Sequence, residues 1–233
     1  MTKEHEETFN DFQEKIGIRF NDQVLLKTAF THRSYLNESH AEGEHNERLE
    51  FLGDAVLELV VTTFLFKKYP ETPEGQLTAY RAALVNTTML GNVSESLGMN
   101  NCLLLSKGEA KDTGRARATI LANTFEAVVG ALYLDQGYDV AAQFIEKSII
   151  TRAEDVVKSG SWKDSKSAFQ ELAQAKYGMT PQYKVVRSEG PDHDKHFVVQ
   201  VSVGDISVAE GEGNSKQEAE QDAAERALSE ASR

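Results

Sequence analysis

The feature that most constrains the fold is a change in hydrophobic periodicity near residue 158 of the 233-residue chain. Before this point, apolar residues recur at helical spacing. The helical segments are 10–16, 22–30, 47–69, 74–85, 88–97, 120–134 and 140–157. After it, residues 197–203 alternate apolar and polar side chains, which is typical of a strand. The sequence therefore predicts an all-helical domain over 1–157, a polar linker over 158–163 and a second domain over 164–233.

The second domain combines helices and strands. The predicted order is a helix over 164–176, strands over 181–187, 197–203 and 206–210, and a closing helix over 215–230. Gly211 and Gly213 are expected to end the third strand. An α-β-β-β-α order in so short a segment predicts a small α+β domain.

Charge and composition limit the functions that can be considered. The chain carries 25 Lys and Arg against 37 Asp and Glu, a net charge of −12, whereas nucleic-acid binders usually present basic surfaces. Its apolar runs fall well short of the ~20 residues of a membrane span, and its polar, acidic start does not resemble a signal peptide. The single cysteine, Cys102, excludes an intrachain disulfide framework and is expected in the core. We therefore expect a cytoplasmic protein without a membrane partner.

Three acidic residues near the start of the third helical segment lie on one face. Glu47, Glu50 and Asp54 are spaced i, i+3 and i+7, so their side chains stack along the helix. Such a stripe is often only a solvated surface. The segment 118–134 adds Asn123 and Glu126, spaced i and i+3, to an otherwise strongly apolar helix. A carboxylate there is costly to bury unless it is paired or binds a metal ion.

If the two helices pack together, these side chains can form a site built from oxygen atoms alone. Its members would be Glu50, Asp54, Asn123 and Glu126. Carboxylate and amide oxygens suit Mg²⁺ or Mn²⁺ rather than Zn²⁺. Such an ion can activate water and neutralise a phosphate during hydrolysis. An ordinary exposed face, or a buried Glu126 paired with an arginine, remains the alternative.

Residues 46–57, NERLEFLGDAVL, resemble the signature of bacterial ribonuclease III, an endoribonuclease specific for double-stranded RNA. Further matching segments are THRSY at 31–35, EGQLT at 74–78, KGE at 107–109, GRAR at 114–117 and EAVVGALYLD at 126–135. The resemblance extends over nearly the whole chain. It implies an all-helical catalytic domain that works as a homodimer.

The resemblance also implies roles for individual residues. Glu50, Asn123 and Glu126 match the positions that bind the metal ion, and Asp54 and Glu126 match those named catalytic. Glu47 matches a further acid that lines the same cleft and is also taken as catalytic. Within the THRSY motif, His32 is expected to be a structural residue rather than a base.

One position departs from the family pattern. Asn123 stands where well-studied members have Asp, so the four-residue set carries one negative charge fewer and is expected to bind metal more weakly. The alternative function is therefore a catalytically impaired double-stranded RNA-binding protein. A helical interaction scaffold is a third possibility, although it would leave the acids on two separate helices unexplained.

The C-terminal domain resembles a double-stranded RNA-binding domain. Ser167, Gln170, Glu171 and Gln174 lie on one face of its first helix and could contact 2′-hydroxyls. His193 belongs to a loop, 190–193, that could enter a second minor groove, and Lys216 begins the last helix, where it can bind phosphate. Each also has a simpler explanation, as a solvated face or a turn. Gln217 replaces a lysine that often follows Lys216 in the family.

Together these observations predict a Mg²⁺-dependent endoribonuclease, with Mn²⁺ as a substitute ion. The resemblance implies 5′-phosphate and 3′-hydroxyl product ends. It also implies ribosomal RNA precursors, structured messenger RNA and transfer RNA precursors as substrates.

Overall fold

The computed structural model describes residues 3–39, 43–111, 113–160, 162, 165–190 and 195–231. The chain divides into two compact units, Met1–Trp162 and Lys163–Arg233. Trp162, within the segment predicted as a linker, packs edge-on against Tyr80 with the ring centroids 4.7 Å apart. Its indole N–H donates a hydrogen bond to the Val157 carbonyl, so this side chain is anchored in the first unit.

The first unit is helical, as predicted. Its described helices are α1 (Lys3–Ile16), α2 (Gln23–Ala29), α3 (Arg33–Ser39), α4 (Glu47–Lys68), α5 (Glu74–Val85), α6 (Thr87–Ser96), α7 (Arg115–Gln136), α8 (Tyr138–Ser148) and α9 (Ala153–Ser159). Short 3₁₀ turns occur at Met99–Cys102, Glu109–Lys111 and Ile150–Arg152. Within the described ranges, no helix combines the length and apolar character needed to cross a membrane.

Two helical predictions need correction. Helix α3 begins at Arg33, within the THRSY motif, and was not predicted. The helix predicted over 140–157 is two helices: α8 ends at Ser148, and α9 begins at Ala153. At the break, the Ser148 hydroxyl donates to the Phe144 carbonyl at 2.6 Å, and Arg152 Nε donates to the Ser148 carbonyl at 3.3 Å. Near the break, these two backbone carbonyls therefore accept hydrogen bonds from side chains.

Helices α4 and α7, each 22 residues long, cross in direct backbone contact. A Cβ atom added at Gly53 would lie 1.7 Å from the Glu126 carbonyl oxygen, and one added at Gly130 would lie 2.2 Å from the Leu49 carbonyl oxygen. Only glycine leaves room for so close an approach. The expected packing of the two helices that carry the predicted site residues is confirmed.

The second unit has the predicted α-β-β-β-α order. Its elements are α10 (Ser165–Tyr177), β1 (Gln182–Glu189), β2 (His196–Val203), β3 (Ile206–Gly213) and α11 (Lys216–Ala231). The strands form an antiparallel sheet in the order β1-β2-β3. Its core combines aromatic and aliphatic side chains from α10 and the sheet with small alanines of α11. The buried members are Phe169, Ala173, Val201, Val203, Ala209, Ala223, Ala224 and Ala227.

The third strand is longer than predicted, because Gly211 continues it and the strand ends only at Gly213. Both glycines are paired with β2, and both face the backbone of α11. A Cβ atom at Gly211 would lie 2.0 Å from the Ala223 nitrogen, and one at Gly213 would lie 2.6 Å from the Ala219 nitrogen. These glycines therefore permit a close helix–sheet contact, which is a further reason for glycine inside a strand.

We expect Gly130→Ala to lower the free energy of unfolding of the first unit by about 3 kcal/mol or more, because the new methyl group would meet the backbone of α4. Gly75→Ala is the matched control. Gly75 also lies in a helix, but a Cβ atom there meets nothing within 4 Å, so the change should be neutral or slightly stabilising. Urea unfolding followed by circular dichroism measures both. Equal stability of the two variants would contradict the close contact.

Candidate functional site

Glu47, Glu50 and Asp54 form a row of carboxylates along one side of α4. The helical repeat and the contacts at the start of the helix place them there. Asn46, buried just before α4, donates its backbone N–H to the Thr31 carbonyl and its amide to the Ala29 carbonyl. This anchors the start of the helix, so Glu47, Glu50 and Asp54 project along one side. Glu50 is partly buried, whereas Glu47 and Asp54 are exposed.

Helix α7 brings Asn123 and Glu126 to the same place. Both are partly buried on a helix whose neighbouring residues are almost all in the core. The Asn123 side chain hydrogen-bonds to Glu50, and the carboxylates of Asp54 and Glu50 act electrostatically on Glu126. The structure therefore brings together four of the predicted residues. We call Glu50, Asp54, Asn123 and Glu126 the carboxylate cluster.

Burial and neighbouring negative charges both disfavour ionisation in the carboxylate cluster. Burial, followed by the charges of Asp54, Glu50 and Glu58, raises the pKa of Glu126 to about 7. Burial also raises the pKa of Glu50, with the charges of Glu47 and Asp54 adding to the effect and the hydrogen bond from Asn123 opposing it. A proton or a cation can relieve this excess negative charge, so protons and cations should compete at Glu126.

The donor set fits a hard divalent cation, because every group in the cluster offers an oxygen atom. Within the ranges that the structure describes, no three His, Cys, Asp or Glu side chains already converge closely enough to hold a metal ion. The fit therefore rests on the chemistry of the donors and on their unbalanced charge.

Glu47 lies at the edge of the cluster rather than within it. Its carboxylate is 3.5 Å from an Arg33 guanidinium nitrogen and 3.8 Å from His45 Nδ1, and its side chain is half exposed. It still acts on the cluster, since its charge contributes to the raised pKa of Glu50.

Glu58 was missed by the sequence analysis, although its i+4 spacing from Asp54 continues the same row. The structure places it within electrostatic range of Glu126.

His32 and Cys102 occupy structural positions. His32 Nδ1 is 2.8 Å from the Ser34 hydroxyl, and burial lowers the pKa of His32. The Ser34 hydroxyl also accepts the backbone N–H of Ser106 at 3.1 Å, which joins α3 to the loop before α7. Cys102 is buried, as predicted, and burial raises the pKa of its thiol to about 12. An unionised buried thiol is not a nucleophile.

The second unit presents the predicted polar face. Ser167, Gln170, Glu171 and Gln174 are all exposed on α10, on the side away from the buried Phe169. The predicted contact His193 lies outside the described residues.

Lys216 is exposed at the first position of α11, whose start is held by side-chain bonds. The Glu218 N–H donates to the Ser215 hydroxyl at 3.2 Å, and the Glu218 carboxylate accepts the Asn214 N–H at 3.0 Å. These bonds resemble a capping box and keep the helix N-terminus formed beside the lysine.

The chain is similar to known proteins over most of its length. A family model described as ribonuclease-III-like matches residues 22–153, and a double-stranded RNA binding motif matches residues 165–230. Ribonuclease 3 of Bdellovibrio bacteriovorus is 44% identical over 217 residues, which cover 93% of each chain. Ribonuclease 3 of Geobacillus kaustophilus is 46% identical over 221 residues, which cover 94% of this chain and 89% of the relative.

Among solved structures, the nuclease domain of ribonuclease III from Campylobacter jejuni is similar to this chain with a TM-score of 0.54 and 37% sequence identity. The match covers 59% of this chain and 96% of that domain. The chain therefore belongs to the ribonuclease III family of endoribonucleases, and it joins a helical nuclease domain to a double-stranded RNA binding motif.

Proposed function

We propose that the protein cleaves double-stranded RNA in a reaction that requires Mg²⁺ and leaves 5′-phosphate and 3′-hydroxyl ends. The observation that carries this proposal is the carboxylate cluster, where burial, followed by the charges of neighbouring carboxylates, raises the pKa of Glu126 to about 7. Mn²⁺ should substitute for Mg²⁺, since both prefer oxygen ligands. The substrates are ribosomal RNA precursors, structured messenger RNA and transfer RNA precursors, processed in the cytoplasm.

Each member of the cluster has a separate task in this proposal. Glu50, Asn123 and Glu126 would hold Mg²⁺. When bound, Mg²⁺ supplies an activated water and neutralises charge on the scissile phosphate. Asp54 would orient the attacking water and accept its proton, while Glu126 would supply a carboxylate oxygen to the ion. Glu47, at the edge of the cluster, assists catalysis through its charge.

The second unit supplies affinity for duplex RNA. Its exposed polar face on α10, formed by Ser167, Gln170, Glu171 and Gln174, contacts 2′-hydroxyls in a minor groove. Lys216 contacts a phosphate, aided by the α11 N-terminus, and His193 contacts a further groove. These contacts depend on the A-form shape rather than on base sequence.

An exposed apolar surface on the first unit supports a homodimer. Phe51 is 83% exposed on α4, directly after the cluster residue Glu50, and Val24 is 70% exposed nearby. Both line a cleft of about 1040 Å³ that also includes Leu25, Leu36 and Leu52. Large apolar side chains exposed beside a partly apolar cleft indicate a protein interface. The Campylobacter jejuni nuclease domain is described as having a region involved in dimer formation.

We expect Glu126→Gln to slow cleavage of a long RNA duplex by more than about 100-fold, while duplex binding stays nearly intact. The change removes a charge from the cluster, whereas binding energy comes mainly from the second unit. Cleavage gels with Mg²⁺ or with excess EDTA, together with mobility-shift titrations, measure the two properties. Glu95→Gln, an exposed acid on α6, is the control. Undiminished cutting in EDTA, or loss of duplex binding by Glu126→Gln, would contradict the proposal.

We expect Asn123→Asp to lower the Mg²⁺ concentration needed for half-maximal cleavage, because it adds a charged ligand. The same change removes the amide that donates to Glu50 and replaces it with a like charge. The metal-free variant should therefore lose about 1–3 kcal/mol of stability and gain more from added Mg²⁺.

Mg²⁺ titrations of cleavage rate and of melting temperature test both expectations for Asn123. If the wild type stays inactive with Mg²⁺ and Mn²⁺ while Asn123→Asp cleaves, the protein is a catalytically impaired RNA-binding protein. Identical responses of the two forms would mean that Asn123 does not bind the ion.

We expect Phe51→Asp to convert a dimer into a monomer, because a charge would be buried at the apolar surface. Phe66→Asp is the matched control, since Phe66 is 72% exposed on the same helix at the opposite end. Light scattering after size-exclusion chromatography measures both masses. A monomeric wild type, or a dimer that survives Phe51→Asp, would remove this surface from the interface.

A further inference from the structure

The carboxylate row on α4 ends in an ion pair with a neighbouring helix. Glu58 Oε2 lies 3.8 Å from Arg81 Nη1, and Arg81 projects from α5. The same Nη1 donates to the Thr62 hydroxyl at 3.1 Å. The Arg81 side chain is only 32% exposed, so the guanidinium is held against α4 rather than extended into solvent. Thr62 thus fixes a positive charge beside the last acid of the row.

Glu58 has an electrostatic influence on the carboxylate cluster. It lies one helical turn beyond Asp54 on α4, so the two side chains are neighbours on one side of the helix. A Glu58 side chain without a cationic partner would add a fourth carboxylate within range of the same cation. An arginine beside a carboxylate offsets its charge and restricts its side-chain positions.

The acid at each end of the row on α4 forms an ion pair with an arginine. In the described part of the chain, Arg33 pairs with Glu47 at one end and Arg81 pairs with Glu58 at the other. Within those same ranges, Glu50 and Asp54 form no ion pair. The arginines thus offset the charges of Glu47 and Glu58. The negative charge that is not offset lies on Glu50, Asp54 and Glu126.

We propose that Arg81 is a positioning residue of the metal site, which keeps Glu58 paired and so confines the cation to Glu50, Asn123 and Glu126. This inference rests on the metal site of the proposed function. Without Arg81, Glu58 competes for the cation and draws it toward the far end of the row. Metal affinity then rises while cleavage slows, whereas a merely structural defect would lower both.

The test is a double-mutant cycle on the full-length protein with Mn²⁺ alone as the probe. Isothermal titration at low ionic strength gives Mn²⁺ affinity without RNA, and single-turnover cleavage of an RNA duplex at saturating Mn²⁺ gives the rate. The variants are Arg81→Gln, Glu58→Gln, the double variant and Arg81→Lys. Lys68→Gln is the control, since it removes another cation from α4 and breaks a pair with Glu154.

We expect Arg81→Gln to tighten Mn²⁺ binding by about tenfold, but by only about threefold when Glu58 is already Gln. Arg81→Gln should also slow cleavage, and adding Glu58→Gln should restore the rate. Arg81→Lys keeps the charge and should stay near the wild type, as should Lys68→Gln.

Equal effects of Arg81→Gln on affinity in the two backgrounds would overturn the proposal, as would a double variant that still cleaves slowly. If Arg81→Gln alone does not fold, the folded double variant must still cleave at the wild-type rate, and slower cleavage overturns the proposal. Weaker RNA binding with unchanged Mn²⁺ affinity would instead make Arg81 a phosphate contact. If the wild type binds no Mn²⁺, or Glu126→Gln binds it equally well, the proposed metal site itself fails.

Discussion

The backbone contact between α4 and α7 is the constraint on which the site depends. Because Gly53 faces the Glu126 carbonyl and Gly130 faces the Leu49 carbonyl, the two helix axes approach more closely than side chains would allow. Acids that would otherwise lie on separate surfaces come within hydrogen-bond and electrostatic range. The helix pair is therefore both the centre of the first unit and the frame of the carboxylate cluster.

The distribution of charge explains how an acidic chain can carry a motif that binds RNA, which is itself negatively charged. Three of the 37 acidic residues lie in the carboxylate cluster, where burial and neighbouring charges raise the pKa of Glu126. The exposed polar residues of α10 and the lysine of α11 lie in the other unit. RNA binding thus needs local donors and one or a few cations at the contact, and bulk charge is a poor guide to it.

The sequence predicted what a helical repeat or an alternation can encode. Glu50 and Asp54 share a face because of their spacing, and β2 was evident from its alternating valines. Features that depend on tertiary contacts were missed. The Arg81–Glu58 pair joins different helices, and the length of β3 depends on α11 packing against Gly211. The break before α9 is a 3₁₀ turn over Ile150–Arg152, which no period in the sequence signals.

The glycines of β3 set the distance between α11 and the sheet of the second unit. Because Gly211 and Gly213 seat the α11 backbone directly on the strand, the height of that helix above the sheet is set by main-chain atoms. Helix α10 packs on α11 through Ala173 and the buried alanines, which are too short to adjust by changing rotamer. The separation between Lys216 and the exposed polar residues of α10 is therefore set by main-chain atoms and short side chains of the core. If these residues contact a duplex as proposed, substitutions of exposed side chains would change its affinity, whereas the spacing between the two contacts would be set by the alanines and glycines beneath them.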